Sequence, residues 1–293
     1  MDGWRHHGIT RQGVSLAVRQ RGADPDKPVV LLVHGYPDNS DIWERVAEHL
    51  ANDYQVAAYD VRGAGASSAP RGLAAYRLAE LSADLFAVID VVSPERPVHL
   101  VAHDWGSIQA WEAVTEPGAE KRIASFTSLS GPCLDHVGQS LRSAGDPLSS
   151  LRQAAKSWYI AAFHLPLLAP LAWKFGLADA WPAWLARTEK LDHAPASATQ
   201  RQDGAQGIAL YRANMLPRLL HSRERHTRIP VQQLVALKDR YVGPSLMALA
   251  EPWTDVLWRQ ELPTGHWGPL LACPEITAGH IREFIHRFGN TPP

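Results

Sequence analysis

PVHLVAHDWGSIQAW, residues 97–111, joins a strand-like apolar run to the start of a helix and places an acidic residue at the turn between them. Ala102 precedes the turn, Gly106 follows it, and Asp104 stands between these two small residues. A sharp strand-to-helix turn lifts the side chain at its tip above the carboxyl edge of a parallel sheet, where ligands bind in such sheets. The stretch therefore nominates Asp104 as a functional carboxylate, while a simple cap of the helix beginning at Trp105 is the alternative.

Length and composition are those of an ordinary globular protein. The 293 residues are 45% hydrophobic and 20% charged, and 29 Lys and Arg against 30 Asp and Glu give a formal net charge of -1. No basic run is long enough to follow a phosphate backbone, so nucleic acid is not an expected partner. Cys133 and Cys273 are too few for a disulfide framework, and residues 1–10 lack an apolar signal segment, which predicts a cytoplasmic location.

Apolar runs of strand length recur along the chain, at residues 28–35, 54–63, 97–104, 122–131, 229–239 and 253–262. Their alternation with helical segments predicts an α/β fold with a mostly parallel central sheet and flanking helices. After Ser130 the runs stop for about a hundred residues, and the Trp-, Leu- and Ala-rich sequence there predicts helices. We therefore predict a core of residues 1–134 and 229–293, interrupted after the run at residues 122–131 by a helical cap of residues 135–228.

An aspartate nucleophile at such a turn requires an orienting acid and then a base further along the chain. Asp239, in "LVALKDRYVGP", comes at the end of one predicted strand, and His266, in "LPTGHWGPL", follows the next. This order satisfies the requirement, so Asp239 and His266 are the expected acid and base. Asp135, in "SGPCLDH" after the predicted strand at residues 122–131, is a competing acid that the sequence leaves open.

The motif "HGYPDN", residues 34–39, directly follows the first predicted strand. The backbone N–H groups of Tyr36 and Trp105 could converge above Asp104 as an oxyanion hole, and Pro37 and Trp105 are expected to contact the substrate. A plain tight turn is the alternative interpretation. "DVRGAGAS", residues 60–67, has neither a dinucleotide nor a P-loop pattern, and the histidines show no H-E-x-x-H motif, so neither a metal nor an organic cofactor is expected.

"HGYPDN", "DVRGAGAS", "AHDWGS", "LKDRYV" and "GHW", in this order around a helical insertion, resemble the α/β-hydrolase-fold epoxide hydrolases over nearly the whole chain. They resemble in particular the hydrolase half of bacterial epoxide hydrolases fused to a short-chain dehydrogenase. The resemblance implies that the cap contributes two tyrosines, here Tyr159, seven residues before Pro166, and Tyr211, in "ALYRANM". Ala102 and Ser107 depart from the glycines more frequent in the family, and neither change removes a functional group.

A carboxylate suits the chemistry that this resemblance implies. Asp104 can displace the oxygen of a saturated epoxide carbon, and the resulting alkyl ester can be hydrolysed through its own carbonyl group to give a vicinal diol. Tyr159 and Tyr211 would hold the leaving alkoxide, which a halide would not require. A haloalkane dehalogenase and a noncatalytic ligand-binding relative are the alternatives; many dehalogenases carry a halide-binding Asn where this chain has Tyr36.

The predicted cap is rich in tryptophan, with Trp158, Trp173, Trp181 and Trp184 around an apolar stretch. If these side chains face inward they form an apolar lid or tunnel, which favours a small-molecule epoxide of lipophilic character with water as the second substrate. An apolar surface of this kind is also one that contacts a membrane or a second copy of the chain, so membrane association and a homodimer stay open. No transmembrane segment is predicted, because prolines break the longest apolar stretch.

Overall fold

A computed structural model describes residues 3–22, 24, 26–143, 163 and 168–288. These residues contain eight strands in one sheet: β1 (Arg5–Arg11), β2 (Val14–Arg21), β3 (Val29–Val33), β4 (Gln55–Tyr59), β5 (Val98–His103), β6 (Ile123–Leu129), β7 (Val231–Ala236) and β8 (Leu257–Leu262). The strand order is β1-β2-β4-β3-β5-β6-β7-β8, and all neighbours from β4 to β8 are parallel. The predicted α/β fold with a mostly parallel sheet is confirmed.

An N-terminal hairpin adds two strands that the hydrophobic pattern did not predict. β1 and β2 pair antiparallel, and β2 pairs antiparallel with β4. β1 is the exposed edge of the sheet and reads RHHGITR, so it lacks the apolar run on which strand prediction rests. Gln12 and Gly13 both have positive φ, as a two-residue hairpin turn requires, and the Gln-Gly pair was the available signal.

Helices flank the sheet and fill the interval between β6 and β7. They are α1 (Glu44–Leu50), α2 (Leu78–Val92), α3 (Trp105–Val114), α4 (Leu134–Ser143), α5 (Leu168–Ala172), α6 (Ala178–Glu189), α7 (Gln200–Leu220), α8 (Pro244–Met247), α9 (Gly268–Leu271) and α10 (Pro274–Phe288). α1 packs against α10, and α2 packs against α3. β3, β4 and β5 are buried along their whole length, because helices cover both faces of the sheet.

The described part of residues 135–228 is helical and contributes no strand to the sheet. We call this segment the cap, and its division from the core at residues 134 and 228 stays a prediction. Among the described helices, none combines the length and the apolar character needed to cross a lipid bilayer.

Buried polar contacts join the cap to the core. Asp203 of α7 accepts a hydrogen bond from the backbone N–H of Gly65 at 2.9 Å, and its other oxygen accepts from Asn39 at 3.2 Å and from Thr199 at 2.6 Å. Asn214, further along α7, accepts from the N–H of Leu78 at 2.9 Å. The cap helix α7 is therefore fixed to the core at two points, at the loop that contains Gly65 and at the start of α2.

Candidate active site

Asp104 occupies the tip of the turn between β5 and α3, which we call the elbow (residues 103–106). Its φ and ψ of 52° and -123° are unusual for a residue with a side chain. Hydrogen bonds hold the strained peptide on both sides: the N–H of Asp104 donates to Leu129 O, and its carbonyl accepts from the N–H of Ile108, both at 2.9 Å. The side chain is thereby raised above the carboxyl edge of the sheet.

Two glycines make room for this elbow. A Cβ on Gly35 would lie 2.4 Å from Cβ of Asp104, and a Cβ on Gly106 would lie 2.3 Å from the carbonyl oxygen of Val33. Neither distance is compatible with a side chain. The close approach of the β3 loop to the elbow therefore depends on glycine at both positions.

The loops after β7 and β8 bring Asp239 and His266 to the same edge. His266 Nδ1 lies 2.8 Å from Asp239 Oδ2, and His266 Nε2 lies 3.5 Å from Asp104 Oδ2. The second oxygen of Asp239 accepts from the backbone N–H groups of Tyr241 at 2.7 Å and Val242 at 2.9 Å. Asp239, His266 and Asp104, expected from the sequence as acid, base and nucleophile, thus form a contiguous chain of contacts.

The two carboxylates set the charge of His266. Burial alone would lower the pKa of this imidazole, but the charges and hydrogen bonds of Asp239 and Asp104 raise its pKa to about 10. Burial opposes ionisation of Asp239 as well, and the charge of His266 with three hydrogen bonds nevertheless lowers the pKa of that carboxyl group. The two aspartates therefore favour the protonated form of His266 in the free protein.

Asp135, the competing acid, lies elsewhere. Its carboxylate accepts from the backbone N–H of Arg223 at 2.9 Å and pairs with Arg218 at 3.1 Å and Arg225 at 3.3 Å. This buried ion-pair cluster joins α4 to the end of the cap. Of the two candidate acids, the structure brings Asp239 to His266.

The backbone N–H of Tyr36 donates to Asp104 Oδ1 at 2.8 Å. Trp105 is the first residue of α3, where backbone N–H groups have no acceptor within the helix. Both groups proposed for the oxyanion hole thus come from elements that meet at Asp104, one from the loop after β3 and one from the start of α3.

The side chain of Tyr36 extends from this backbone into the cap. Its hydroxyl donates to the carbonyl oxygen of Gly204 at 2.9 Å and accepts from Trp173 Nε1 at 2.6 Å. A Cβ on Gly207 would lie 2.5 Å from the Tyr36 ring, so this cap residue must be small. Tyr36 therefore belongs to the elbow through its N–H and to the cap through its phenol.

A cavity of about 340 Å³ lies over Asp104 and His266. Aromatic side chains dominate its wall, which consists of Tyr36, Pro37, Phe163, Trp173, Leu177, Trp181, Trp184, Tyr211, Arg240, Tyr241 and Trp267 in addition to Asp104 and His266. Tyr211 lies in this wall, with its ring centroid 5.3 Å from that of Tyr36 and 4.7 Å from that of Trp105. Trp105 is not among the described residues that line the cavity.

Tyr159, the other expected cap tyrosine, and Trp158 lie outside the described residues.

Sequence reasoning gave no role to His103, which is fully buried and places Nε2 2.9 Å from the carbonyl oxygen of His266. Burial lowers the pKa of His103 to about 4, so this ring is neutral. Its contact with the carbonyl oxygen of His266 supports the loop that contains His266. Its position beside Asp104 in "AHDWG" was the available signal. Among the described residues, no three His, Cys, Asp or Glu side chains are grouped as a metal site requires.

The sheet order, the elbow at Asp104 and the helical insertion after β6 are those of α/β hydrolases. The sequence model of the α/β hydrolase fold family matches residues 28–272, and the chain belongs to that family. It is 37% identical over 288 residues to the probable oxidoreductase EphD of Mycobacterium tuberculosis, an alignment that covers 93% of this chain and 48% of that protein. The chain thus spans about half the length of these curated relatives.

Further similarities are to proteins named epoxide hydrolases. The chain is 33% identical over 202 residues to an epoxide hydrolase of Caballeronia sordidicola, covering 64% of this chain and 59% of the relative. The crystal structure of the epoxide hydrolase VrEH1 from Vigna radiata superposes with a TM-score of 0.77 over 98% of this chain and 99% of that chain. At 22% sequence identity, this likeness concerns the fold.

Proposed function

We propose that the protein is an epoxide hydrolase that converts an epoxide to a vicinal diol through a covalent ester on Asp104. The observation that carries the proposal is a carboxylate, rather than a hydroxyl, on the elbow with His266 and Asp239 behind it. A carboxylate can displace oxygen from a saturated carbon and leave an ester that water can break. The similarity to proteins named epoxide hydrolases supports the same chemistry.

In the first step, an oxygen of Asp104 forms a bond to an epoxide carbon while the bond from that carbon to the ring oxygen breaks. The developing alkoxide requires a proton or strong hydrogen bonds. Tyr211 lies in the wall of the cavity that contains Asp104, which supports a role for its hydroxyl here, and Tyr159 is proposed as its partner from the sequence resemblance. The product of this step is a hydroxyalkyl ester of Asp104.

In the second step, His266 takes a proton from water, and the water oxygen attacks the carbonyl carbon of the Asp104 ester. The N–H of Tyr36, already 2.8 Å from Asp104 Oδ1, stabilises the oxyanion together with the N–H of Trp105. The ester bond then breaks, and the leaving oxygen takes the proton that His266 holds, which completes the diol. Asp104 retains an oxygen from water as a carboxyl group and gives its proton back to His266. Asp239 holds the imidazole in the orientation that the proton transfer needs.

Ester formation also changes the charge at His266. The carboxylate of Asp104 is one of the groups that raise the pKa of this imidazole. Esterification removes that negative charge, so the pKa of His266 falls and its proton can pass to the opened alkoxide, which leaves the neutral imidazole available as a base. The first step therefore prepares the base for the second.

The wall of the cavity indicates the kind of epoxide. Its volume of about 340 Å³ and its predominantly aromatic side chains suit a lipophilic small molecule.

Single-turnover hydrolysis in ¹⁸O-water tests the covalent route. With enzyme in excess, the label should enter Asp104 and be absent from the first diol released; label in that diol would contradict the ester mechanism. Asp104→Asn should block ester formation, and His266→Gln should accumulate the ester, which mass spectrometry of the intact chain detects. Halide release from haloalkanes without epoxide turnover would instead indicate a dehalogenase, and saturable binding of epoxides without turnover a noncatalytic relative.

A further inference from the structure

Two residues of the sequence motifs have no part in the reaction proposed above, Asp38 in "HGYPDN" and Trp267 in "GHW". The structure joins them, because Trp267 Nε1 donates to Asp38 Oδ2 at 2.8 Å. Asp38 is 8% exposed and Trp267 is 3% exposed. A buried indole N–H with a buried carboxylate acceptor is a fixed contact of the interior, since either group left alone would be costly.

Trp267 lies between the reacting histidine and the cap. Its ring centroid is 4.5 Å from that of His266, at an interplanar angle of 67°. The same indole lies 5.4 Å from Trp181 of α6 and 6.0 Å from Tyr241. A movement of this indole would therefore displace the imidazole of His266, which it contacts directly.

Hydrogen bonds alone do not fix the tilt of the His266 ring. The contacts of Nδ1 with Asp239 and of Nε2 with Asp104 fix the direction of the ring. Its tilt depends on the rings packed against it, those of Trp267, His103 and Tyr241 at centroid distances of 4.5, 4.7 and 5.2 Å. We propose that Asp38 is a positioning residue, which anchors the indole of Trp267 and thereby holds His266 at the tilt from which Nε2 activates water. This inference rests on the proposed function, because it concerns the step that hydrolyses the Asp104 ester.

The acceptor oxygen of Asp38, rather than its charge, is what the indole requires. Burial, reinforced by the negative charge of Asp104, raises the pKa of Asp38 to about 7, although the bond from Trp267 opposes this. A carboxyl group retains an acceptor oxygen in both protonation states. Asparagine at this position should therefore keep the function of Asp38. Leucine, of similar size but without an acceptor, should not.

Rapid-quench kinetics of Asp38→Leu and Asp38→Asn separate the two steps. We expect Asp38→Leu to slow ester hydrolysis by about 10- to 100-fold, because a small misplacement of a base has an effect of this order. Ester formation should change by less than about threefold, so the alkyl-enzyme accumulates, and Asp38→Asn should restore hydrolysis to within about threefold of the original rate. Trp267→Phe should reproduce the defect, and the double variant Asp38→Leu/Trp267→Phe should be no slower than the slower single variant.

The pair Trp4 and Glu44 provides a matched control, since Trp4 Nε1 donates to Glu44 Oε2 at the same 2.8 Å outside the cavity lining. Glu44→Leu should leave both steps unchanged. The proposal is overturned if Asp38→Leu slows both steps equally, if Asp38→Asn is as slow as Asp38→Leu, or if Trp267→Phe hydrolyses the ester at the original rate.

A measurement without substrate distinguishes this inference from the proposed function. In protein labelled with ¹⁵N at tryptophan and histidine, Asp38→Leu should accelerate hydrogen exchange of the Trp267 indole and shift the ring resonances of His266. Glu44→Leu should do neither. Unchanged His266 resonances in Asp38→Leu would refute the positioning role, whereas failure of the unsubstituted protein to form an ester would refute only the covalent mechanism.

Discussion

Asp104 is the nucleophile of the proposed reaction, and its backbone is strained. A residue with a side chain in its conformation costs on the order of 1–3 kcal/mol, which the hydrogen bonds to Leu129 and Ile108 help to offset. The sequence could predict this residue because the elbow is a local pattern. It could not decide between Asp239 and Asp135, since both follow strands that end at one edge of the sheet. The arginines that surround Asp135 are distant in sequence, and only the fold brings them there.

Removal of the Asp104 charge should weaken proton binding by His266 and so lower its pKa. In Asp104→Asn, the imidazole loses one of the two carboxylates that raise its pKa, so its pKa should fall below the value of about 10. NMR titration of histidine-labelled protein through the alkaline range measures this directly.

Two further variants test the same charge coupling, one with a larger expected effect on the pKa of His266 and one with none. Asp239→Asn should lower the pKa of His266 further, because Asp239 makes the larger electrostatic contribution. Asp135→Asn should leave the titration of His266 unchanged, as its carboxylate is paired with arginines away from the site. A His266 titration identical in the original protein and Asp104→Asn would contradict the charge coupling.

At the scale of elements, the elbow depends on how closely β3, β5 and α3 approach one another. The sequence indicated the small residue at Gly106, because a tight turn excludes larger ones. It gave no indication that Gly35, in another loop, lies against the side chain of Asp104. The hairpin of β1 and β2 was missed for a related reason, as exposed edge strands lack the hydrophobic pattern and are held by their partners.

Gly106→Ala should be strongly unfavourable. The added Cβ would meet the carbonyl oxygens of Val33 and His34 at 2.3 and 2.5 Å, and these are backbone atoms that cannot turn aside. We expect the free energy of unfolding in urea to fall by about 1–3 kcal/mol, with ester formation slowed through displacement of Asp104.

Gly279→Ala in α10 is the matched control for this substitution. A Cβ at this helical position meets nothing within 4 Å. The change should raise the free energy of unfolding by about 0.5–1 kcal/mol, since alanine is the better helix former. If Gly106→Ala behaved like Gly279→Ala, the close packing of the elbow would be wrong.

At the scale of the whole molecule, the cavity is formed jointly by the cap and the core. The sequence predicted a helical cap rich in tryptophan, and the described residues Trp173, Trp181 and Trp184 do line the cavity. It could not predict which faces of the cap helices point inward, because those helices contact one another as well as the core. The contacts of Asp203 with Gly65 and Asn39 are likewise long-range and have no local pattern.

Loss of the Asp203 carboxylate should loosen the cap. Asp203→Leu leaves the buried N–H of Gly65 without its acceptor, which should lower the free energy of unfolding by about 1–3 kcal/mol. Hydrogen exchange followed by mass spectrometry should become faster in α7. Asp203→Asn keeps an acceptor oxygen and should lose less stability, and equal stability of Asp203→Leu and the original protein would contradict this role.

If the proposed function holds, Tyr36 has a consequence for efforts to broaden the range of epoxides by directed evolution. Its phenol is bonded to Trp173 and Gly204 of the cap, whereas its N–H is bonded to Asp104. Substitutions at Trp173 will therefore alter turnover together with selectivity, and their effects will be epistatic with changes near the elbow. Leu177 and Trp184 also line the cavity but have no hydrogen bond to Tyr36, which makes them the better first positions for a library.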